Sequence, residues 1–320
     1  MLSSVTRTLN QAAVSTGNTL FLADTEKVSQ ISTATPIAVL HKGYIATEDK
    51  KIQKYTEAGL VAVGTAVKRP TKLKLCREAG DEALYIADRA GSVYRIVPAK
   101  DTEPALLFGS ISMITDMHIL EKHVITVDKD SKIRITDKVH PHRIDRFVLA
   151  HSKPLLSTTV IDAQYIVSGG YDSYLSVYDT ATNKTFIYDF AQKSMAPFSL
   201  ETIPGLQTPS KVVNINTGGK CWVKKILADR TRLFVITETT PLIIAITRTK
   251  EGMFLVPTDL PKDLDGLSVA DGEELEEGSG FLFITPKGKL YQFDKILEEI
   301  SVIDTYLATD DTDIVSKYIS

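Results

Sequence analysis

Asp128 and Asp130 stand two residues apart in TVDKDSKIRITD (Thr126 to Asp137), the spacing with which a calcium-binding loop begins. The next ligand position of such a loop falls on Lys132, its turn glycine is replaced by Ile133, and no glutamate closes it. An ammonium group at a ligand position repels the cation, so calcium is rejected. His140 and His142, in VHPHR, would share one face of a strand, but no further Cys, His or acidic cluster completes a metal set. NTGGKC (Asn216 to Cys221) lacks the first glycine of a phosphate loop and the hydroxyl residue after Lys220, and reads as a turn. Neither GxSxG nor HExxH occurs, and Glu273 and Glu274 fall in an acidic stretch read as a solvated loop. No catalytic constellation emerges, which turns attention to surfaces that bind.

Two charged stretches qualify. In KIRIT, Ile133 and Ile135 share one strand face and Lys132 and Arg134 the other, so the isoleucines can pack while the cations project. Arg134 offers a planar fork to a carboxylate and Lys132 a mobile point charge. The second stretch is AVKRPTKLKLCR, with Lys68, Arg69, Lys72, Lys74 and Arg77. Lys72 and Lys74 share a face, with Leu73 and Leu75 opposite. Two readings stand for it: a solvated outer strand, or a patch that tracks a phosphate backbone without reading bases. The net charge of -3 over 320 residues argues against a broad basic field and leaves room for a local one.

The elements that must carry these residues are strands. Seven units repeat a β-branched or aromatic run, a polar turn and a second alternating run, near 19–32, 44–56, 84–97, 123–136, 165–179, 233–247 and 281–294. Taking the first apolar residue after each turn, the steps from Ile52 to Val93, Ile133 and Leu175 are 41, 40 and 42 residues. That is close to the period of WD40 propeller blades. The step from Val28 to Ile52 is 24 and that from Leu175 to Leu242 is 67, which predicts a pared-down first blade and an insertion near 191–211. A second polar insertion is expected near 259–280. A blade cannot bury both faces alone, so blades stack into a ring. The expected fold is all-β: a single seven-bladed WD40-type β-propeller over 1–320, with degenerate repeats.

The fifth unit, YIVSGGYDSYLSVYD, carries the WD40 signature with Tyr178 in the tryptophan position. His151 precedes Asp172 by 21 residues, the offset at which a blade histidine hydrogen-bonds the tight-turn aspartate. Elsewhere Ala90 and Thr25 replace that aspartate, and Trp222 is the only tryptophan. Cys76 and Cys221 are too few for a disulfide framework and lack zinc spacing, so a reducing compartment is expected. The first residues hold no sustained apolar run, so no signal peptide is expected, and no stretch reaches the length of a membrane span.

Between Lys68 and Asp179 these motifs resemble the WD40 non-catalytic subunit of tRNA (guanine-N7-)-methyltransferases. VKRPTKLKL, LYIADRAGSVYRI, VITVDKDSKIRIT, PHRIDRFVLAH and SGGYDSYLSVYD carry the likeness. CWVKKILADRTRLFVITETTPLIIAIT also fits the family's sixth blade. The resemblance implies a chain that is not itself an enzyme. It would bind a catalytic Rossmann-like subunit as a heterodimer and help place tRNA for N7-methylguanosine formation in the variable loop. It implies no cofactor on this chain, S-adenosylmethionine belonging to the catalytic partner, and residence in the nucleus. Family interface positions map onto Asp128, Asp130, Lys132 and Arg134, with departures from the pattern at Lys129 and Ser131. The run with Lys68, Arg69, Lys72 and Lys74 is assigned to the tRNA-facing side. The competing expectations are a generic WD40 scaffold that recruits peptides in a chromatin or ubiquitin-ligase assembly and, third, a propeller hydrolase.

Overall fold

Short runs such as LYIA, VITV and LFVI place β-branched and aromatic side chains on both sides of a pleated backbone, and polar pairs or triplets reverse the chain between them. The computed structural model describes residues 2–8, 11–23, 28–56, 58–198, 221–239, 241–250, 252–258, 271–274, 280–284, 290–294 and 300–303. Among these residues every regular element is a strand. Thr25 lies outside the described residues, as do all of 199–220, including Asn216 to Lys220, and all of 259–270.

The strands form consecutive antiparallel sheets. The first holds β1 (Leu2–Thr8), β2 (Gln11–Thr16), β3 (Thr19–Ala23) and β4 (Val28–Ser32). The second holds β5 (Ile37–His41), β6 (Tyr44–Thr47), β7 (Lys51–Thr56) and β8 (Gly59–Thr65). The third holds β9 (Pro70–Glu78), β10 (Asp81–Asp88), β11 (Ser92–Ile96) and β12 (Ala105–Gly109). In the fourth are β13 (Ile114–Ile119), β14 (His123–Asp128), β15 (Ile133–Asp137) and β16 (Ile144–Val148). The fifth has β17 (Leu155–Ile161), β18 (Tyr165–Gly170), β19 (Tyr174–Asp179), β20 (Lys184–Asp189) and β21 (Ser194–Phe198). The sixth has β22 (Val223–Ala228), β23 (Arg232–Thr237), β24 (Leu242–Thr249) and β25 (Gly252–Pro257). The last has β26 (Asp271–Glu274), β27 (Gly280–Ile284), β28 (Leu290–Asp294) and β29 (Ile300–Ile303).

Two stretches read as loops contribute strands. The insertion expected from residue 191 opens with β21, a fifth strand paired with β20 from Thr185↔Phe198 to Asp189↔Ser194. Three prolines give the whole stretch an irregular look, yet Ser194–Phe198 precedes all but one of them. Glu273 and Glu274 lie in β26, paired with β27, and not in a solvated loop. Cross-strand pairing has overridden the weak strand preference of DGEE.

The chain divides into two compact units, Met1–Ile114 with Leu267–Ser320, and Thr115–Gly266. In the first, β5 packs against β1 on one side and β9 on the other, and β1 packs against β26. Leu73, Leu84, Ile86 and Ile96 are wholly buried there, with Tyr44 and Ile52. In the second, β17 packs against β14 and β22. Ile125, Val127, Ile133 and Ile135 meet Leu155, Ile166 and Tyr178 between the fourth and fifth sheets. Val167, Leu175 and Val177 meet Val223, Leu233 and Val235 between the fifth and sixth. The core is thus a series of layers between sheets, which covers both faces of an interior strand.

Candidate functional site

The β14–β15 turn is built around Asp128. Its carboxylate is buried, and Oδ1 accepts the amides of Asp130 at 2.9 Å and Lys132 at 3.1 Å. Ser131 completes the reversal at a φ of 66°, in the left-handed region. Burial pushes the Asp128 carboxyl above the usual carboxylate range, opposed by the Lys132 amide and charge. Lys132 Nζ bridges Asp130 Oδ2 at 3.1 Å and Asp128 Oδ2 at 3.7 Å. Asp130 is exposed and Lys132 half-buried, so these two form the accessible part of the hairpin.

Arg134 does not project. It is 7% exposed, and its Nε donates to Thr136 Oγ1 at 2.9 Å. Burial lowers the pKa of its guanidinium. It stands between Thr126 and Phe147 in the ladder, on a strand flanked by β14 and β16 whose side chains are covered on both faces. The alternation that separates it from the isoleucines holds; the inference that the polar face meets water does not. Of the four mapped positions, Asp130 and Lys132 are presented outward, Asp128 holds their turn from within, and Arg134 is buried on β15 against Thr136.

The basic run is split in a similar way. Lys68 and Arg69 are exposed in the turn before β9, and Arg69 pairs with Glu48 at 2.6 Å. Lys72 and Lys74 are half-buried on β9, opposite Ala87 and Tyr85. β9 is the end strand of its sheet, paired with β10, and it packs against β5 of the preceding sheet. Arg77, near the strand's end, is exposed. The paired histidines also differ from expectation. His140 and His142 lie in the turn after β15, not on a strand, with ring centroids 6.0 Å apart and His140 Nδ1 3.7 Å from Asp137.

His151 and Asp172 are brought together. His151 Nδ1 lies 3.0 Å from Asp172 Oδ2, and Nε2 lies 2.9 Å from Ser168 Oγ. The Tyr174 ring stacks on the imidazole at 5.1 Å. Asp172 also accepts the Ser152 hydroxyl and the amides of Ser152 and Lys153. Burial alone would raise this carboxyl, but His151, Ser152 and Lys153 together hold it below the usual range. Gly170 is required beside it, because a Cβ there would strike the Pro154 carbonyl. Tyr178, in the tryptophan position, is buried with its hydroxyl donating to Asn183 Oδ1 at 2.9 Å.

Two further aspartates, not singled out in the sequence, hold the framework. Asp88 closes the β10–β11 turn as Asp128 closes the next, accepting the amides of Ala90 and Ser92. The aligned strings ADRAGS and VDKDSK hold that signal. Asp116, on β13, accepts the Ser157 hydroxyl at 3.0 Å and the Thr158 amide at 3.1 Å, and Ser157 Oγ accepts the Ile226 amide at 3.0 Å. This links β13, β17 and β22 through buried polar groups. Nothing in MITDMHIL distinguishes that aspartate from a surface one.

Residues 97–280 match the family described as the tRNA methyltransferase TRM82 WD40 domain. Among curated relatives, the tRNA (guanine-N(7)-)-methyltransferase non-catalytic subunit wdr4 of Danio rerio is 32% identical over 171 residues, covering 50% of this chain and 40% of the relative. The corresponding subunit TRM82 of Eremothecium gossypii is 31% identical over 123 residues, covering 35% of this chain and 26% of the relative. WDR4 of Homo sapiens is 30% identical over 110 residues, covering 32% and 26%. The matched stretch therefore spans well under half the length of these relatives. A chain of the mitotic checkpoint complex superposes with a TM-score of 0.66 at 11% identity, covering 92% of this chain and 89% of that one. The computationally designed Ika8 protein gives 0.57 at 11%, covering 93% and 85%. At that identity the two structures speak for the fold alone: all-β, of the WD40 propeller type.

Proposed function

The chain belongs to the tRNA methyltransferase TRM82 WD40 domain family, and on that premise we propose that it is the non-catalytic subunit of a tRNA (guanine-N7)-methyltransferase. In this reading it binds the catalytic subunit as a heterodimer and helps place tRNA for N7-methylation of the variable-loop guanosine. The methyl transfer and S-adenosylmethionine belong to the partner, and the complex works in the nucleus. The observation that carries the reading is the family match over 97–280, which includes the whole β14–β15 hairpin.

On that hairpin Asp130 and Lys132 form the contact, as an exposed carboxylate beside a cation. A partner with the complementary pair can take over both charges as they leave water. Arg134 and Asp128 hold the hairpin's shape behind them. Lys68, Arg69, Lys72 and Lys74 face tRNA, adding phosphate contacts without base readout.

Co-expression with the catalytic subunit tests this. Lys132→Glu combined with Asp130→Lys leaves a folded chain that no longer co-purifies with the methyltransferase, and N7-methylguanosine in tRNA falls. Undiminished co-purification and methylation with that charge reversal would sink the interface.

A further inference from the structure

We propose that the groove between β16 and β21 takes an extended acidic segment of a protein partner, presenting an aromatic or large aliphatic side chain between carboxylates. Ile144, Phe147 and Leu149 are 40%, 44% and 38% exposed, a cluster of large apolar residues within six positions of β16 and its exit. Edge strands of soluble proteins are ordinarily blunted by charge or cover, so such a cluster marks a surface that is covered in use. Beside it runs a groove of about 480 Å³, lined by Phe147, Leu149, Phe186 and Phe198 together with Arg146 and Lys184.

Three observations choose the occupant. Both charged residues of the lining are cations, and both are exposed. Arg146 stands against the Tyr178 hydroxyl, while the one carboxylate on β16, Asp145, is already engaged by His123 at 3.0 Å and Arg143 at 2.9 Å. The groove therefore offers positive charge around an aromatic floor.

The second observation is that Arg146, Phe147, Val148 and Leu149 all line it. Three of them, Arg146 to Val148, are consecutive on β16 and point to alternate faces, with Leu149 just beyond, so the groove follows the strand's edge and not one face. The third is that β16 is the last strand of its sheet among the described residues, whereas the neighbouring sheet carries β21 beyond its fourth strand β20. The fold thus already accommodates a fifth strand at the corresponding place. An extended segment added to β16 satisfies backbone groups along the edge, sends alternate side chains into the groove, and sets carboxylates on Arg146 and Lys184.

Panning short random peptides displayed on phage against the whole chain tests the proposal. Enriched sequences should place Phe, Trp or Leu between Asp or Glu. Fluorescently labelled synthetic copies should bind more weakly as salt rises. They should lose affinity by about tenfold or more on Arg146→Glu with Lys184→Glu, and on Phe147→Asp. Thermal unfolding checks each variant; because Arg146 and Lys184 are both exposed, the charge pair carries the test if Phe147→Asp does not fold. Absence of enrichment, enrichment of basic or uncharged sequences, or affinity indifferent to these substitutions would overturn it. So would self-association broken by Phe147→Asp, which would make a second copy the occupant, or a poly-uridine oligonucleotide competing for the same cations. Methyltransferase co-purification of the Arg146/Lys184 variant is read separately, so this groove and the β14–β15 contact fail independently.

Discussion

Asp88 and Asp128 close equivalent hairpins of the third and fourth sheets with the same two bonds, each taking the amides two and four residues on, and differ in what holds the second oxygen. Asp128 Oδ2 lies 3.7 Å from the Lys132 ammonium. At Asp88 the corresponding position is Ser92, and Oδ2 is buried without a hydrogen-bond partner among the described residues. The two amide bonds outweigh the stranded oxygen at Asp88, because losing them would orphan two donors in a tight turn. Asp88→Ala is expected to destabilise by about 1–3 kcal/mol in urea unfolding.

Asp128 and Asp172 should give opposite pH dependences. The folded carboxyl of Asp172 is depressed, so its contribution is present above the unfolded value near 3.9 and is lost as pH falls through the folded pKa. The Asp128 carboxyl is raised, so its contribution is full below the unfolded value and is lost as pH rises through the folded pKa. Unfolding free energies measured from pH 7 to pH 3 should lose part of their acid decline in Asp172→Asn. In Asp128→Asn the decline should steepen.

Ser131 holds a left-handed φ of 66° at the position where the preceding hairpin has Gly91 at 91°. A Cβ in that region costs roughly 1–2 kcal/mol, against a smaller entropic cost of glycine in the unfolded chain. Ser131→Gly is expected to stabilise by about 0.5–1 kcal/mol, read as a higher unfolding midpoint.

Lys132, in the proposed contact, and the buried Arg134 should behave differently on substitution. Lys132→Glu should change stability by less than about 1 kcal/mol, since its ion pairs are partly exposed, yet abolish co-purification with the catalytic subunit. Arg134→Ala removes a buried side chain and its bond to Thr136, and should destabilise the isolated chain by about 2–4 kcal/mol before any partner is added. Thermal unfolding of the chain alone, beside co-purification, distinguishes them.

The proposed tRNA side should behave as a set of phosphate-binding cations. Lys72→Glu with Lys74→Glu is expected to weaken tRNA binding by the complex similarly across tRNA sequences. It should also flatten the dependence of log affinity on log salt by about one unit for each phosphate no longer neutralised.

The hairpins were legible because alternation and turn chemistry are local, and Val28, Ile52, Val93 and Ile133 each begin the second strand of a pair or fall within it. His151 and Asp172 were legible because a fixed offset brings them together. Arg134 was misread because alternation reports two faces and not which of them meets water; in layered sheets both are covered. The packing of β9 against β5 was not legible, since which neighbouring sheet covers a strand is set by the tertiary arrangement and leaves no local pattern. Asp116 left no local trace of the link it makes: Ser157 and Thr158, which it joins to β13, lie 41 and 42 residues away.

The first compact unit joins residues 1–114 to residues 267–320, whereas the second is one continuous stretch. A ribosome delivers these pieces in order, so residues 115–266 are complete while β1 still waits for β26. During synthesis the first sheet waits without the sheet that β1 packs against, and an incompletely packed sheet is the condition under which nascent chains aggregate or recruit chaperones. A stop codon between 267 and 303 would therefore deprive the beginning of the chain, far away in sequence, of the strands it packs against.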